Sequence, residues 1–586
     1  MLDPRIYRGA LLVALFAVIV VAFSLENRPE PLRTTQAPAA FDGARAARLL
    51  ATLAREYPSR RPGSVGDDAL ARRVAVELRA VLPGVRVTRR TVEGARTVDG
   101  RRDLVTVEAS QPGSSPGAGL VVVSGRDALE RGSPAALSGT AAMIELARAA
   151  GLARPRRSIT FASVSGFTGG QAGIADLASR LERPVDAVLV LGDMGSPPSS
   201  GRLVSAWSEG PGSAPFDLQR TVSIALRLES GLKADVPYAR NQVVRYAFPL
   251  TVGAQGPPNR DSLPTVMLSA SGELPPSASA RVAQPWLERF GRAALRSITA
   301  LDAAAPVSGS PQHDLLAVRK VVPSWAIRLL AIGLLFPALL TALDAVARMR
   351  RERQPVARWL GWVLALAVPF AVVGIFLRLL GLFGFLHATD PPPPPGSVPL
   401  DGAGIGAVIC TVALGILAAL YLRPAVEKAV RLPAGREAAG ATLAPALFAT
   451  VGGLVAWVFN PYAALFFVLP AHIWLLVCAR DIRVPRAPAV ALVLLSLAPF
   501  LLAAFVMAGQ LSIPAWKLPW ELALAWAGGT PWLAVMLGWS LFAGAACAAI
   551  SLVWGSGRLP DRKVTVRGPT GYAGPGSLGG TPSARR

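Results

Sequence analysis

Apolar residues along this chain gather in two places: a single run from Gly9 to Leu25, and a long block that begins after residue 323. A bilayer core roughly 30 Å thick takes roughly 20 apolar residues of helix. The first run approaches that length and carries no charge, with Arg5 and Arg8 just ahead of it. Its end, Ala22-Phe23-Ser24-Leu25, is a poor small-residue cleavage site, so the run reads as an uncleaved anchor rather than a signal peptide. The later block divides into apolar segments at about 326–346, 359–386, 403–422, 440–459, 463–479, 488–508 and 531–554. The pattern predicts an anchor (1–29), a globular domain (30–322), a seven-helix membrane bundle (323–556) and a disordered tail (557–586).

Basic residues orient this plan. Placing residue 30 outside makes 347–358, 423–439, 480–487 and the tail inside. Those stretches hold Arg348, Arg350, Arg351, Arg353 and Arg358; Arg423, Lys428, Arg431 and Arg436; Arg480, Arg483 and Arg486; and Arg558, Arg562, Lys563 and Arg567. In the opposite loops, near 387–402, 460–462 and 509–530, Lys517 stands alone. Positive charge stays on the cytoplasmic side, so both termini are expected in the cytoplasm of a multi-pass plasma-membrane protein, with the lipid bilayer as partner. Pro337, Pro369, Pro470 and Pro499 fall inside membrane segments and are expected to kink them. Trp516, Trp520, Trp526 and Trp532 predict a short interfacial helix. Three polar groups lie at membrane depth. His472 and Arg378 form the candidate intramembrane site. The bland alternatives are a neutral His472 bonded to a neighbouring helix, a snorkelling Arg378, and an Asp344 that reaches the interface.

Within 30–322, a Pro-rich spacer (30–40) precedes alternating helices and strands. Arg45–Glu56 is helical by period, and Asp67–Leu82 repeats Leu70, Val74, Leu78 and Val81 on one face before Pro83-Gly84 ends it. Short apolar runs at Gly119–Ser124, Ser158–Ser163, Ala187–Leu191 and Thr265–Ser269 suit strands buried on both faces. Thr140–Ala150, Gly170–Leu181 and Pro285–Leu301 read as helices, and the Gly/Pro/Ser-rich stretches Ser110–Ala118 and Gly195–Pro215 as loops. The expected fold is α/β, a mostly parallel sheet covered by helices on both faces, joined to an all-α membrane bundle. In such sheets ligands sit at the carboxyl ends of the strands, here Gly125–Asp127, Gly166–Thr168 and Gly192–Gly195.

Composition changes this picture little. The chain of 586 residues is 52% apolar with net charge +23, nearly all of it from arginine; its mean hydropathy is +0.43. No basic run is interleaved with aromatics, so nucleic acid is not an expected partner, and the arginine bias reads as a GC-rich bacterial genome plus topology. Cys410, Cys478 and Cys547 all lie in apolar segments, so the domain is expected to hold together without disulfides. Ser124, Ser138 and Ser165 cannot form a Ser/His/Asp set when His313, His387 and His472 are the chain's histidines and none lies in the sheet region.

The strand ends resemble those of the co-catalytic zinc aminopeptidase family, which includes glutamate carboxypeptidases and glutaminyl cyclases. The similarity covers roughly 45–300. It runs through Pro58-Ser59-Arg60-Arg61-Pro62-Gly63-Ser64, Val121–Asp127, Gly132–Gly139 leading into Glu145-Leu146-Ala147-Arg148, Phe161–Gly173 and Val188–Gly195. Carried over by position, the family's His-x-Asp falls on Gly125-Arg126-Asp127, its metal-bridging Asp on Ala135, and its Glu-Glu pair on Phe167-Thr168. Asp193, before Met194-Gly195, keeps the family's aspartate, while the late His has no counterpart near Asn259-Arg260-Asp261. The resemblance therefore implies a degenerate member with a vacated site at Gly125, Arg126, Asp127, Ala135, Phe167, Thr168 and Asp193. No catalytic residue, metal or other cofactor is expected, because one aspartate cannot hold two zinc ions and no base remains to activate water. A salt bridge of Arg126 with Asp127 and Asp193 is expected in the vacated space, with Ser138-Gly139 and Glu145 serving helix start and surface. The membrane plan resembles the attachment subunit of the glycosylphosphatidylinositol transamidase. The expected role is binding or scaffolding of a peptide, an envelope component or a partner protein. The alternatives are a metallopeptidase with a rebuilt site and a transporter with an accessory domain.

Overall fold

The computed structural model describes residues 4–32, 40–115, 117–182, 184–198, 202–232, 237–307, 313–317, 320–353, 356–431, 439–478, 484–530 and 532–555. Most of the spacer, Arg436, Arg480, Arg483 and the whole tail expected to be disordered lie outside these residues.

Helix α1 (Pro4–Phe23) leads to strand β1 (Glu26–Asn27) and then to helices α2 (Gly43–Glu56) and α3 (Val65–Val81). Asp42 and Ser64 start these two helices by accepting hydrogen bonds from the N–H groups of Arg45 and Asp67. Leu70, Val74, Leu78 and Val81 are all buried, as their spacing predicts. Next come β2 (Val87–Thr97), β3 (Gly100–Gln111), β4 (Gly119–Gly125), α4 (Ser138–Ala153), β5 (Ile159–Val164), α5 (Ala172–Arg180) and β6 (Val185–Leu191). The domain ends with β7 (Val204–Ser205), α6 (Phe216–Ser230), α7 (Ala239–Ala247), α8 (Gly256–Arg260), β8 (Thr265–Leu268), α9 (Gln284–Ala303), β9 (Leu315–Leu316) and β10 (Lys320–Val322).

Seven strands form one sheet in the order β2-β3-β5-β4-β6-β8-β7. The four central strands, β5, β4, β6 and β8, are parallel and coincide with the four predicted apolar runs. Both edges are antiparallel, so this parallel core lies within a mixed sheet. The β2–β3 hairpin escapes a reading based on apolar runs because much of β2 is exposed and rich in Arg, Thr and Glu. Successive central residues face opposite cores. Leu120, Val122, Ala187, Leu189 and Leu191 join one cluster with α2, α3, α4 and α9. Val121, Val123, Val188 and Val190 join another beneath α5. Both faces are thus covered, which is why the runs are continuously apolar.

The remaining helices are α10 (Ser324–Arg351), α11 (Val356–Leu382), α12 (Gly402–Leu417), α13 (Arg423–Ala429), α14 (Ala439–Phe459), α15 (Pro461–Val477), α16 (Arg486–Ser496), α17 (Ala498–Gln510), α18 (Leu518–Gly528) and α19 (Leu533–Gly555). A π turn, Ala418–Leu422, joins α12 to α13. Among the described residues six helices, α1 included, are long and apolar enough to cross a membrane, and the α16–α17 pair, bent by 41°, makes up to seven. Every predicted segment is helical, but α15 has only 17 residues. Pro499 stands in the first turn of α17, at that bend, whereas Pro337, Pro369 and Pro470 lie within continuous helices. The tryptophan-rich stretch does form a helix, α18. Trp516 and Trp532 are exposed, but the Trp520 indole donates to the Val398 carbonyl at 3.1 Å.

The bundle and the α/β domain are stitched together. β1 pairs with β10, tying the chain's path out of α1 to its path into α10. Loops at 387–402, 460–462 and 509–530 all reach the domain, which places them on one side of the bundle, as the alternation of segments predicts. Asn460 accepts from the N–H groups of Tyr462 and Ala463 at 3.1 and 3.3 Å and donates to the Tyr246 carbonyl at 2.6 Å. Arg245 donates to Gln510 at 2.6 Å. Around these bonds Val244, Tyr246 and Val252 pack with Ile327, Tyr462, Phe466 and Met507. Asn460 therefore caps α15 and bridges to the domain. Asn460→Ala should cost about 2 kcal/mol, the sum of a lost cap and a lost bond of about 1 kcal/mol each. Asn460→Ser, which keeps the cap but cannot reach Tyr246, should lose about half of that. Thermal unfolding of the full-length protein in detergent checks both.

Candidate functional site: a cleft at the strand ends

The carboxyl ends of β4, β5 and β6 meet at a cleft whose remaining cavity is about 30 Å³. Asp127, Phe167, Thr168 and Asp193 line it, with the loop after β8 from Ser269 to Pro276 and Pro394 from the bundle.

Both carboxylates bond to backbone. One oxygen of Asp127 accepts the Phe167 N–H at 2.9 Å, and the other accepts the Thr168 N–H at 3.0 Å and its hydroxyl at 2.6 Å. Gly166, at φ +70°, supplies the left-handed step that starts this turn after β5. Asp193 accepts the N–H groups of Gly195 and Ser196, each at 3.0 Å, through Oδ1. The Ser138 hydroxyl lies 3.3 Å from that oxygen and accepts the Met194 N–H at 2.8 Å, so Ser138 braces the Asp193 loop as well as starting α4. Oδ2 of Asp193 is buried with no hydrogen-bond partner among the described residues. Phe167 closes the space between. A Cβ at Gly125 would lie 2.6 Å from Cδ1 of the Phe167 ring, so the aromatic side chain occupies the room a larger residue at Gly125 would need.

Arg126 does not bridge Asp127 and Asp193. Its side chain turns beneath the cleft, where Nε lies 2.8 Å from Asp67 and Nη1 donates to the Ser163 carbonyl at 3.0 Å. The Ser165 hydroxyl and the Gly63 N–H complete Asp67. Arg60, also buried, donates to the carbonyls of Arg126, Tyr57 and Ser133. Burial pulls the Arg60 guanidinium down to about 10 against the opposing charges of Asp127 and Asp67. Burial likewise raises the Asp67 carboxyl, with Arg126 acting against it. Arg126 and Asp127 follow β4 and continue its alternation, so Asp127 faces the cleft while Arg126 turns to the other side, where the buried Asp67 receives it. Asp67, in the first turn of α3, was not singled out from the sequence. Its signal is an acid in the first turn of the helix that follows Pro58–Ser64.

Ala135 is fully buried in a short 3₁₀ turn, Ala135–Leu137, ahead of α4. Asn259 bonds both backbone groups of Thr265, at the amino end of β8, and so sits away from the cleft. The segment at the cleft is the loop after β8, whose Glu273 pairs with Arg245 at 3.1 Å. Glu145 is not a surface residue: it is buried and pairs with Arg45 at 2.9 Å. In the bundle, the Tyr7 hydroxyl lies 2.8 Å from His472 Nδ1, and Nε2 lies 2.8 Å from the Leu334 carbonyl, joining α1, α15 and α10. A carbonyl can only accept, so Nε2 carries the proton and Nδ1 accepts from Tyr7. Arg378 is exposed and lies against Gly529, and Asp344 pairs with Arg348 at 2.8 Å.

The cleft does not fit a zinc pair. Two zinc ions need a bridging carboxylate and several nitrogen or oxygen donors. Gly125, Ala135 and Phe167 offer none, and Asp127 is fully engaged. Among the described residues no cluster of three or more His, Cys, Asp or Glu could hold a metal ion.

No family model matches the chain, and no curated protein matches it. Among solved structures, LapB from Legionella pneumophila is similar at TM-score 0.37 and 16% identity, over 50% of this chain and 81% of LapB. A glutaminyl cyclase from Bacteroides thetaiotaomicron, bound to N-acetylhistamine, is similar at 0.35 and 14%, over 47% and 99%. A leucine aminopeptidase precursor from the same organism is similar at 0.33 and 14%, over 44% and 97%. At these scores the functional reading rests on the chain's own side chains. None of the three is the transamidase attachment subunit, so that resemblance rests on membrane plan alone.

The Asp67–Arg126 pair gives a signed prediction. Arg126→Met leaves a buried carboxylate without its counter-charge and should destabilise the protein by about 3–5 kcal/mol near neutral pH. Burial raises the Asp67 carboxyl in the fold, and losing Arg126 raises it further. Stability from this group is then greatest at low pH and falls as pH rises through its folded value. The deficit of Arg126→Met should shrink on going from pH 8 to pH 5, read by thermal melting at both.

Proposed function

We propose that this chain is a multi-pass plasma-membrane protein with both termini in the cytoplasm. Its α/β domain lies outside, and its peptidase-like cleft binds rather than hydrolyses. The ligand class is a peptide, an envelope component or a partner protein, and the bundle serves as anchor and frame. The observation that carries this reading is the packing of Phe167 against Gly125. An aromatic ring fills the position where a metal-binding side chain would project, and neither Phe167 nor Thr168 can take a proton from water near neutral pH.

The carboxylates support the same reading. Asp127 and Asp193 shape the cleft by holding its turns, which a cleft that had lost all use for its shape would not need. The basic stretches 347–353 and 423–431, at the helix ends opposite those that meet the domain, support the orientation.

Full-length protein purified in detergent should carry far less than one zinc per chain by elemental analysis after incubation with zinc. It should also show no chelator-sensitive release from aminoacyl substrates. One or more zinc ions per chain together with chelator-sensitive cleavage would overturn the proposal.

A further inference from the structure

One loop of the bundle enters the cleft. The connection from α11 to α12 carries Thr389, Asp390 and five consecutive prolines, Pro391–Pro395. Its flanks belong to the bundle. Leu386 and Ala388 pack with Leu377, Leu524 and Ala527. The Gly396 N–H donates to Glu521 at 3.0 Å. Between these ties the loop leaves the bundle. Pro391–Pro394 are buried, and Pro394 lines the cavity beside Asp127, Phe167, Thr168 and Asp193. Thr389 is held between two glycines, one from each half of the molecule. A Cβ at Gly170, whose φ is +97°, would lie 2.8 Å from the Thr389 Cβ, and one at Gly528 would lie 2.9 Å from its carbonyl carbon. Asp390 feels the charges of Arg260 in the domain and Arg378 in α11.

The chemistry of the occupant matches its berth. Proline has no N–H, so burying a run of them hides no unmatched donor. A residue that precedes proline is kept out of the helical region, so Pro392–Pro394 stay extended between a bend at Asp390-Pro391 and a turn closed by the Ser397 N–H on the Pro394 carbonyl at 3.0 Å, and lose little freedom when bound. The cleft offers the Phe167 ring together with Pro275 and Pro276 as an apolar wall, the kind of surface that takes extended proline-rich segments.

We infer that the cleft is a groove for an extended, proline-rich polypeptide, and that residues 389–395 are its resident occupant, holding it closed against a second such segment supplied by a partner. This inference rests on the reading of the cleft as a binding site and specifies its ligand. A tethered occupant competes at an effective concentration of the order of millimolar, so a free segment binds weakly until the loop leaves.

The test uses full-length protein in detergent and a fluorescein-labelled peptide copying residues 388–397. Replacing each of Pro391–Pro395 with Gly or Ser should open the groove and tighten peptide binding at least tenfold over the unaltered protein by fluorescence anisotropy. Adding Phe167→Asp to that variant should abolish the gain. Equal binding, or none, by a variant that melts like the unaltered protein would overturn the inference. A second measurement needs no variant. Several millimolar unlabelled peptide added to the unaltered protein should speed hydrogen exchange at the amides of Thr389 and 396–398 by displacing the loop, and unchanged exchange would also overturn it. Cleavage of the peptide by the opened variant in the presence of zinc would uphold the groove but sink the silent-site reading, whereas absent binding sinks the groove alone.

Discussion

A carboxylate taken out of water must be matched by donors or by opposite charge, and that constraint shapes the centre of this molecule. Three aspartates are buried at or beneath the strand ends. Asp127 is matched by two backbone N–H groups and a hydroxyl, Asp193 at one of its two oxygens by the turn that follows it, and Asp67 by Arg126. In a metal centre a cation would do this work. Here backbone N–H groups do it at the strand-end loops, and Arg126 does it for Asp67 beneath them. Phe167 then takes up the space beside Gly125.

The same constraint explains which parts of the fold were legible in the sequence. Continuous apolar runs reveal β4, β5, β6 and β8 because both faces of those strands are buried. The membrane segments are legible for the analogous reason that lipid admits little else. The β2–β3 hairpin was missed because an exposed antiparallel arm needs no such run. At the site, Asp127 and Asp193 were legible by their place after apolar strands. The partner of Arg126 was not: Asp67 is 59 residues away, and only the tertiary fold brings α3 under β4. Pairing Arg126 with its neighbour Asp127 overlooked strand alternation, which sends adjacent side chains to opposite faces. The role of Pro391–Pro395 was equally hidden, since nothing local to a loop says what it touches.

The α/β domain and the bundle behave as one structure rather than as a domain on a tether. The β1–β10 pairing, the Asn460 and Arg245 bonds and the apolar contacts of Tyr246 and Phe466 join them at the foot. The proline loop joins them again at the cleft. Any event that moves α11 against α18 therefore bears on the mouth of the cleft, through Thr389 in its slot between Gly170 and Gly528. This gives the bundle a mechanical relation to the cleft that an anchor alone would lack.

The proposal that backbone donors hold the carboxylates of the cleft with no metal between them is tested most directly by the melting of full-length protein with zinc or with chelator. A ligand present at a hundredfold over its dissociation constant stabilises a fold by about 2.7 kcal/mol. The account predicts superimposable melting curves in micromolar zinc and in excess chelator. A rise in melting temperature with zinc that chelator reverses, and that Asp193→Ala removes, would contradict it.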